Sequence, residues 1–229
     1  MPTCVYCRAD FPVVTTDHVI ASSWYSPSTP STVQRITVPS CKCCNNRYSA
    51  SERYALLRLA ACVDPKIPAS QGVWDRACRA MDVEAAKSPV DRAHRQAAWE
   101  AFNRDTEEIV NLPAAGVLPS FLSNYHNAGS RTVVHIQAHK LNDLIKKWSL
   151  GIHYHLWKNP ASQKAEVTAI HLSDDDAEYA FQGTLDYWET IDLGPGIQIR
   201  YLSKAEGTDR SSIYKFTIWG QFTVYGTIV

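Results

Sequence analysis

Apolar and polar positions follow three different rhythms along the chain. Up to about residue 40 the apolar pieces are short, VYC, FPVVTT and HVIASSW, and are broken by Pro and Ser, the pattern of small strands and loops. From Cys44 the rhythm becomes helical: NNRYSASERYALLRLAACV sets Tyr48, Ala55, Leu59 and Cys62 on one side, with Asp64-Pro65 as a stop. GVWDRACRAMDVEAA, residues 72 to 86, predicts a second helix with Val73, Ala77, Ala80 and Met81 inward. Ser88-Pro89 offers an N-cap and a first-turn proline for a third, expected to run to about Leu112.

PAAGVLPS, residues 113 to 120, reads as a connector, RTVVHIQ as a strand, and HKLNDLIKKWSLGIHYHLW as a helix with Leu141, Leu144, Ile145 and Trp148 facing a core. After Pro160 strands take over: AEVTAIHL, LDYWETIDL, IQIRYLS, SSIYKFTIWG and QFTVYGTIV. Turns are expected at Asp174 to Asp176, at Gly194-Pro195-Gly196 and at Gly207, with a tight final hairpin around Gly220-Gln221. The sum is an α+β chain with no internal repeat: an amino-terminal module (1–63), a helical connector (64–120), and an antiparallel sheet packed on helices (121–229). The last of these has an expected role in substrate positioning, dimerisation or docking to another subunit.

Composition adds limits. No apolar tract is long enough to span a bilayer, and MPTCVYCRADF lacks the basic and apolar stretches of a secretory signal, so the expected setting is the cytoplasm. Seven cysteines in a reducing compartment point to metal before disulfides. Net charge is zero, but residues 1 to 60 carry six Lys/Arg against three Asp/Glu and residues 151 to 200 carry three against eight. A polyanion therefore meets least repulsion at the amino-terminal part.

CVYC at Cys4 to Cys7 and CKCC at Cys41 to Cys44 supply two thiol pairs, each able to grip an ion from one tight turn. Together Cys4, Cys7, Cys41 and Cys44 complete the tetrahedral sulfur shell that zinc prefers, and a four-sulfur ion has no open position for chemistry. Cys43 allows a slipped pairing, whereas Cys62 and Cys78 read as packing residues. The 33 residues between the pairs contain Asp17-His18.

Cysteine pairs flanking DHVI, followed by CxxCN leading into a helix, resemble the HNH endonucleases, as does VPSCKCCNNRYSASERY. The resemblance covers residues 4 to about 54 and implies a zinc-braced ββα-metal fold of the small bacterial or phage type, in which some members serve defence systems or mobile elements. It also implies cleavage of DNA, with RNA a further possible substrate, leaving 5′-phosphate and 3′-hydroxyl ends. Hydrolysis of a phosphodiester calls for an activated water and a hard cation. Histidine titrates near neutrality, and Mg²⁺ or Mn²⁺ prefers oxygen ligands. His18 is the expected general base and Asp17 the carboxylate ligand; the resemblance makes Asn45 the amide ligand, with Asn46 a rival. Arg47 is a candidate phosphate contact.

Two positions depart from the family pattern. Ala21 stands where Pro is usual, and Ile36 where an asparagine would orient the histidine, leaving Gln34, Arg35 or a backbone carbonyl for that task. Elsewhere the plain readings prevail: His135, His139, His153 and His155 lack partners to complete a metal shell, Asp174 to Asp176 suit a helix start, and Trp148, Tyr154 and Trp157 suit a core. Lys146-Lys147 is a weak phosphate candidate. A zinc-stabilised module that binds nucleic acid or protein without catalysis is the competing function; a groove-reading helix of a transcription regulator is not evident.

Overall fold

The computed structural model describes residues 1–64, 66–109, 131–172, 174–206 and 209–229. The amino-terminal part is a small hairpin followed by a helix. Strand β1 (Thr15–His18) pairs antiparallel with β2 (Thr37–Ser40), in a register that sets Thr15 opposite Ser40 and His18 opposite Thr37. One residue later α1 (Lys42–Ala61) begins, capped by the Cys41 sulfur, which accepts the Cys44 N–H at 3.4 Å. Its Tyr48, Ala55 and Leu59 are buried as the spacing predicts, and the helix closes with the Cys62 N–H on the Leu59 carbonyl.

The middle of the chain is shorter in helix than its sequence suggests. Helix α2 (Val73–Met81) buries Val73, Ala77 and Met81 and stops before Asp82, leaving Ala80 exposed. Helix α3 (Pro89–Arg104) has the expected cap, with Ser88 Oγ accepting the Asp91 N–H at 3.1 Å. It ends at Arg104, not near Leu112, because β3 (Thr106–Ile109) leaves the helix to pair with β4 (Arg131–Val134). A partner strand more than twenty residues away is invisible to a local helical rhythm. The connector predicted at 113 to 120 and the turn at Gly207 lie outside the described residues.

Helix α4 (Ala138–Trp157) buries Leu141, Leu144, Ile145 and Trp148 and ends at Lys158, which adopts a left-handed conformation. Next come β5 (Val167–Ile170), α5 (Asp174–Ala180), β6 (Glu189–Asp192), β7 (Ile197–Glu206), β8 (Asp209–Ile218) and β9 (Phe222–Ile228). The five strands form one antiparallel sheet in the order β5-β9-β8-β7-β6. Asp174 to Asp176 open α5 and are not a turn. The last hairpin turns through Trp219 and Gly220, both at positive φ, with the Gln221 N–H on the Ile218 carbonyl.

Among the described residues one apolar core joins the amino-terminal hairpin, α1, α2, α4 and the carboxy-terminal sheet. Val19, Ile20 and Trp24, the apolar part of DHVIASSW, are essentially inaccessible. Trp24 stacks on Trp219 of the last hairpin (centroids 5.5 Å apart) and meets Trp148 of α4 edge-on at 5.1 Å. The Trp219 indole N–H donates to the Trp24 carbonyl at 2.7 Å. Such aromatic pairs contribute about 0.5–1.5 kcal/mol each beyond area burial. They join the amino-terminal hairpin to the carboxy-terminal sheet through α4. Close approach of α4 depends on two missing side chains: a Cβ on Gly151 would meet Val19 at 2.6 Å, and one on Gly226 of β9 would collide with Ser149 Oγ. No helix among the described residues is long and apolar enough to cross a membrane.

Candidate functional site

Two backbone turns bring four thiols together. In the first, the Arg8 N–H returns to the Cys4 carbonyl at 2.8 Å, with Arg8 at φ 62°, and the Val5 N–H bonds Pro39 of β2 at 3.0 Å. In the second, the end of β2 and the first turn of α1 place Cys41 and Cys44 one helical turn apart. The sulfurs of Cys4, Cys7, Cys41 and Cys44 all lie within 4.8 Å of one another, and Cys7 and Cys41 are 3.9 Å apart. A tetrahedral ion with sulfur bonds of about 2.3 Å sets sulfur separations of roughly 3.8 Å, so the donor set fits zinc. Cys43 is exposed and outside the group, which settles the register of CKCC. Burial raises the Cys4 thiol, but hydrogen bonds from the backbone at Cys7, Cys41 and Tyr6 bring it down to about 7, favouring the thiolate a metal requires. Arg8 ties this knuckle to the distant chain by donating to the Ser162 and Ala165 carbonyls at 2.6 and 2.8 Å.

Beside the knuckles, the predicted residues are distributed over both faces of the hairpin. Thr15 and Asp17 share the face of β1 that carries Val38 and Ser40, both buried; alternation sends the exposed His18 to the other. Asn45 reaches β1, its amide donating to Thr15 Oγ1 at 3.3 Å. Asn46 is exposed, and the Arg47 guanidinium lies over the Tyr48 ring at 4.4 Å. Thus the first turn of α1 meets the strand on the side of Asp17, while His18, paired with Thr37, is set by alternation on the other face at the strand's last position.

Asp17 already has strong partners. Its Oδ2 accepts the Tyr6 hydroxyl at 2.9 Å and lies 3.0 Å from Lys147 Nζ. The same ammonium is 2.9 Å from Glu52 Oε2 and donates to the His18 carbonyl at 2.8 Å. Those contacts match its three N–H groups. Lys147 is 1 % exposed, Glu52 6 % and Asp17 11 % by side chain. Burial raises the Glu52 carboxyl to about 7 even though Lys147 pulls it the other way. Burial is the largest influence and outweighs the pull of Lys147, with repulsion from the Asp17 carboxylate adding to it.

Ala21, where the family pattern has Pro, uses its N–H: it donates to Glu52 Oε1 at 3.2 Å. Proline has no such proton. Ile36 is buried and its carbonyl takes the Val19 N–H, while Arg35 stacks over Tyr25 at 5.2 Å, so the position of the histidine-orienting asparagine belongs to the core. Sequence reasoning missed Glu52 and misread Lys147, which is no surface phosphate contact. A lysine among Leu144, Trp148 and Gly151, at i−3, i+1 and i+4 on the buried side of α4, was the available signal.

Three of the other histidines have ordinary partners: His153 Nδ1 lies 3.2 Å from Tyr214 Oη, His135 pairs with Glu107 at 2.9 Å, and His171 Nε2 lies 2.8 Å from Asn142 Oδ1. Among the described residues, the four cysteines are the one group spaced to hold a metal ion. No protein-family model matches the chain, and neither comparison with curated proteins nor comparison with solved structures finds a match.

Proposed function

We propose that this chain is a zinc-braced nucleic-acid-binding protein built on a ββα frame of the HNH type, and that the frame does not carry an assembled hydrolytic centre. Zinc on Cys4, Cys7, Cys41 and Cys44 is structural in this reading, since four thiolates fill its coordination shell. The observation that carries the proposal is the buried Lys147 ammonium on Asp17 and Glu52. A divalent cation on the same carboxylate would face a fixed positive charge about 3 Å from the oxygen it shares, and the two cations repel strongly in a desolvated setting. Asp17 and Asn45 therefore do not fit a catalytic Mg²⁺ or Mn²⁺ in this arrangement, and His18 lies on the opposite strand face from both.

A second reading, the DNA endonuclease, keeps support from particular atoms. Asp17 Oδ1 and the Asn45 amide oxygen have no hydrogen bond among the described residues, and His18, at the end of β1, is open to solvent. In that reading His18 takes a proton from water, and Asp17 and Asn45 hold the cation that neutralises charge on the phosphate.

A nicking assay on supercoiled plasmid, and on labelled RNA, with Mg²⁺ or Mn²⁺ separates the two. The proposal expects intact substrate from the wild type and from His18→Ala alike, and no Mn²⁺ bound to the zinc-loaded protein by electron paramagnetic resonance. Cleavage that disappears in His18→Ala would establish the nuclease.

A further inference from the structure

Tyr25 is buried, and two guanidiniums meet it, one at its ring and one at its carbonyl. Arg35, exposed, lies over its ring at 5.2 Å. Arg76 of α2 donates to its carbonyl at 2.7 Å and to that of Ser22 at 3.4 Å. Arg79, one turn further along α2, is also exposed. Burial, with repulsion from Arg79 and Arg35 added to it, lowers the proton affinity of Arg76.

Acids stand close by, but among the described residues none of the three arginines is in an ion pair: Asp75, four residues before Arg79, and Asp82, three after it, form none, Glu84 pairs with Arg92, and Asp91 pairs with Arg95. In a chain of zero net charge, arginines held together without an ion-pair partner favour the arrival of an anion. The surrounding loop, SSWYSPSTPST from Ser22 to Thr32, supplies hydroxyls, which together with arginines are the usual donors to phosphate oxygens. Arg35 also stands two residues before Thr37, the cross-strand partner of His18, so this surface continues to the exposed end of the hairpin.

We infer that Arg35, Arg76 and Arg79 form a contact surface for the phosphodiester backbone of nucleic acid, reading charge and not sequence. This rests on the nucleic-acid reading above and locates it on the molecule. Arg76 also holds the loop, so the sharper test uses the two exposed residues.

Binding of a labelled 20-base-pair duplex, a single DNA strand and a single RNA strand to the zinc-loaded protein is followed by fluorescence anisotropy between 50 and 200 mM salt. Arg35→Gln with Arg79→Gln is expected to weaken binding about tenfold at the lowest salt and to flatten the slope of log affinity against log salt by about 2 on a duplex, roughly one per lost phosphate contact. A charge-matched pair, Lys158→Gln with Lys164→Gln, should leave both quantities unchanged. Which of the three probes responds identifies the nucleic acid. If the wild type binds but Arg35→Gln with Arg79→Gln alters neither quantity, or the control pair weakens binding equally, this surface is wrong while nucleic-acid binding stands. If the wild type binds none of the probes, both fall.

Discussion

Lys147 of α4 holds Asp17 of β1 at 3.0 Å with almost no access to water. Removing one member of a buried ion pair strands the other charge and typically costs about 3–5 kcal/mol. Lys147→Met should lower the unfolding free energy measured by urea titration by that order, and adding Asp17→Asn with Glu52→Gln should recover a large part of the loss. A single variant as stable as the wild type would mean the ammonium is not buried as described.

The cysteine register makes a sharp pair of expectations. Cys43→Ser should retain one zinc per chain by elemental analysis, whereas Cys44→Ser should lose it and melt earlier, because only Cys44 belongs to the four-sulfur group. Equal zinc content in the two variants would contradict the assignment.

Stability should depend on pH through Glu52. Its carboxyl titrates at about 7 in the folded chain against 4.5 ordinarily, so between those values the folded state binds more protons than the unfolded one. Stability from this group is full below pH 4.5 and is lost as pH rises through 7, by about 3 kcal/mol at most. His153 acts in the opposite sense: burial lowers it to about 4, so its contribution is lost as pH falls from 6.5 through 4. Subtracting the unfolding free energies of Glu52→Gln from those of the wild type across pH 4.5 to 7 isolates the first slope. A flat difference would exclude the raised carboxyl.

Gly151→Ala tests the approach of α4 to the hairpin. A methyl there falls 2.6–2.7 Å from both Val19 methyls, and overpacking of this kind costs about 1–3 kcal/mol, outweighing the better helix propensity of alanine. Gly151→Ala with Val19→Ala should restore part of the stability in thermal melts.

Much of this architecture is legible in the residues because its signals are local. Two CxxC spacings, a helical rhythm at the second and five strand-like runs each announce themselves within a few positions, and the four thiols, the α1 core face and the carboxy-terminal sheet stand where those signals put them. What the sequence conceals depends on long-range partners. The end of α3 is decided by β4, and the fate of Asp17 by a lysine 130 positions later. The DH dipeptide tells equally well of a metal ligand beside a base and of a buried counter-ion beside an exposed imidazole. Only the identity of what packs against β1 separates them, and no pattern within residues 4 to 54 contains it.

Helix α4 touches every part of the structure that matters here: its lysine neutralises the hairpin, Gly151 lies against Val19, and Ser149 meets Gly226 of the sheet. It works as an axle common to both ends of the chain. Residues 1–63 expressed alone would expose Trp24, leave Asp17 and Glu52 without their counter-charge, and depend on the metal knuckle for whatever shape remained. The natural unit for any activity is therefore the hairpin, α4 and the sheet together, with the final turn bonded to Trp24 through Trp219.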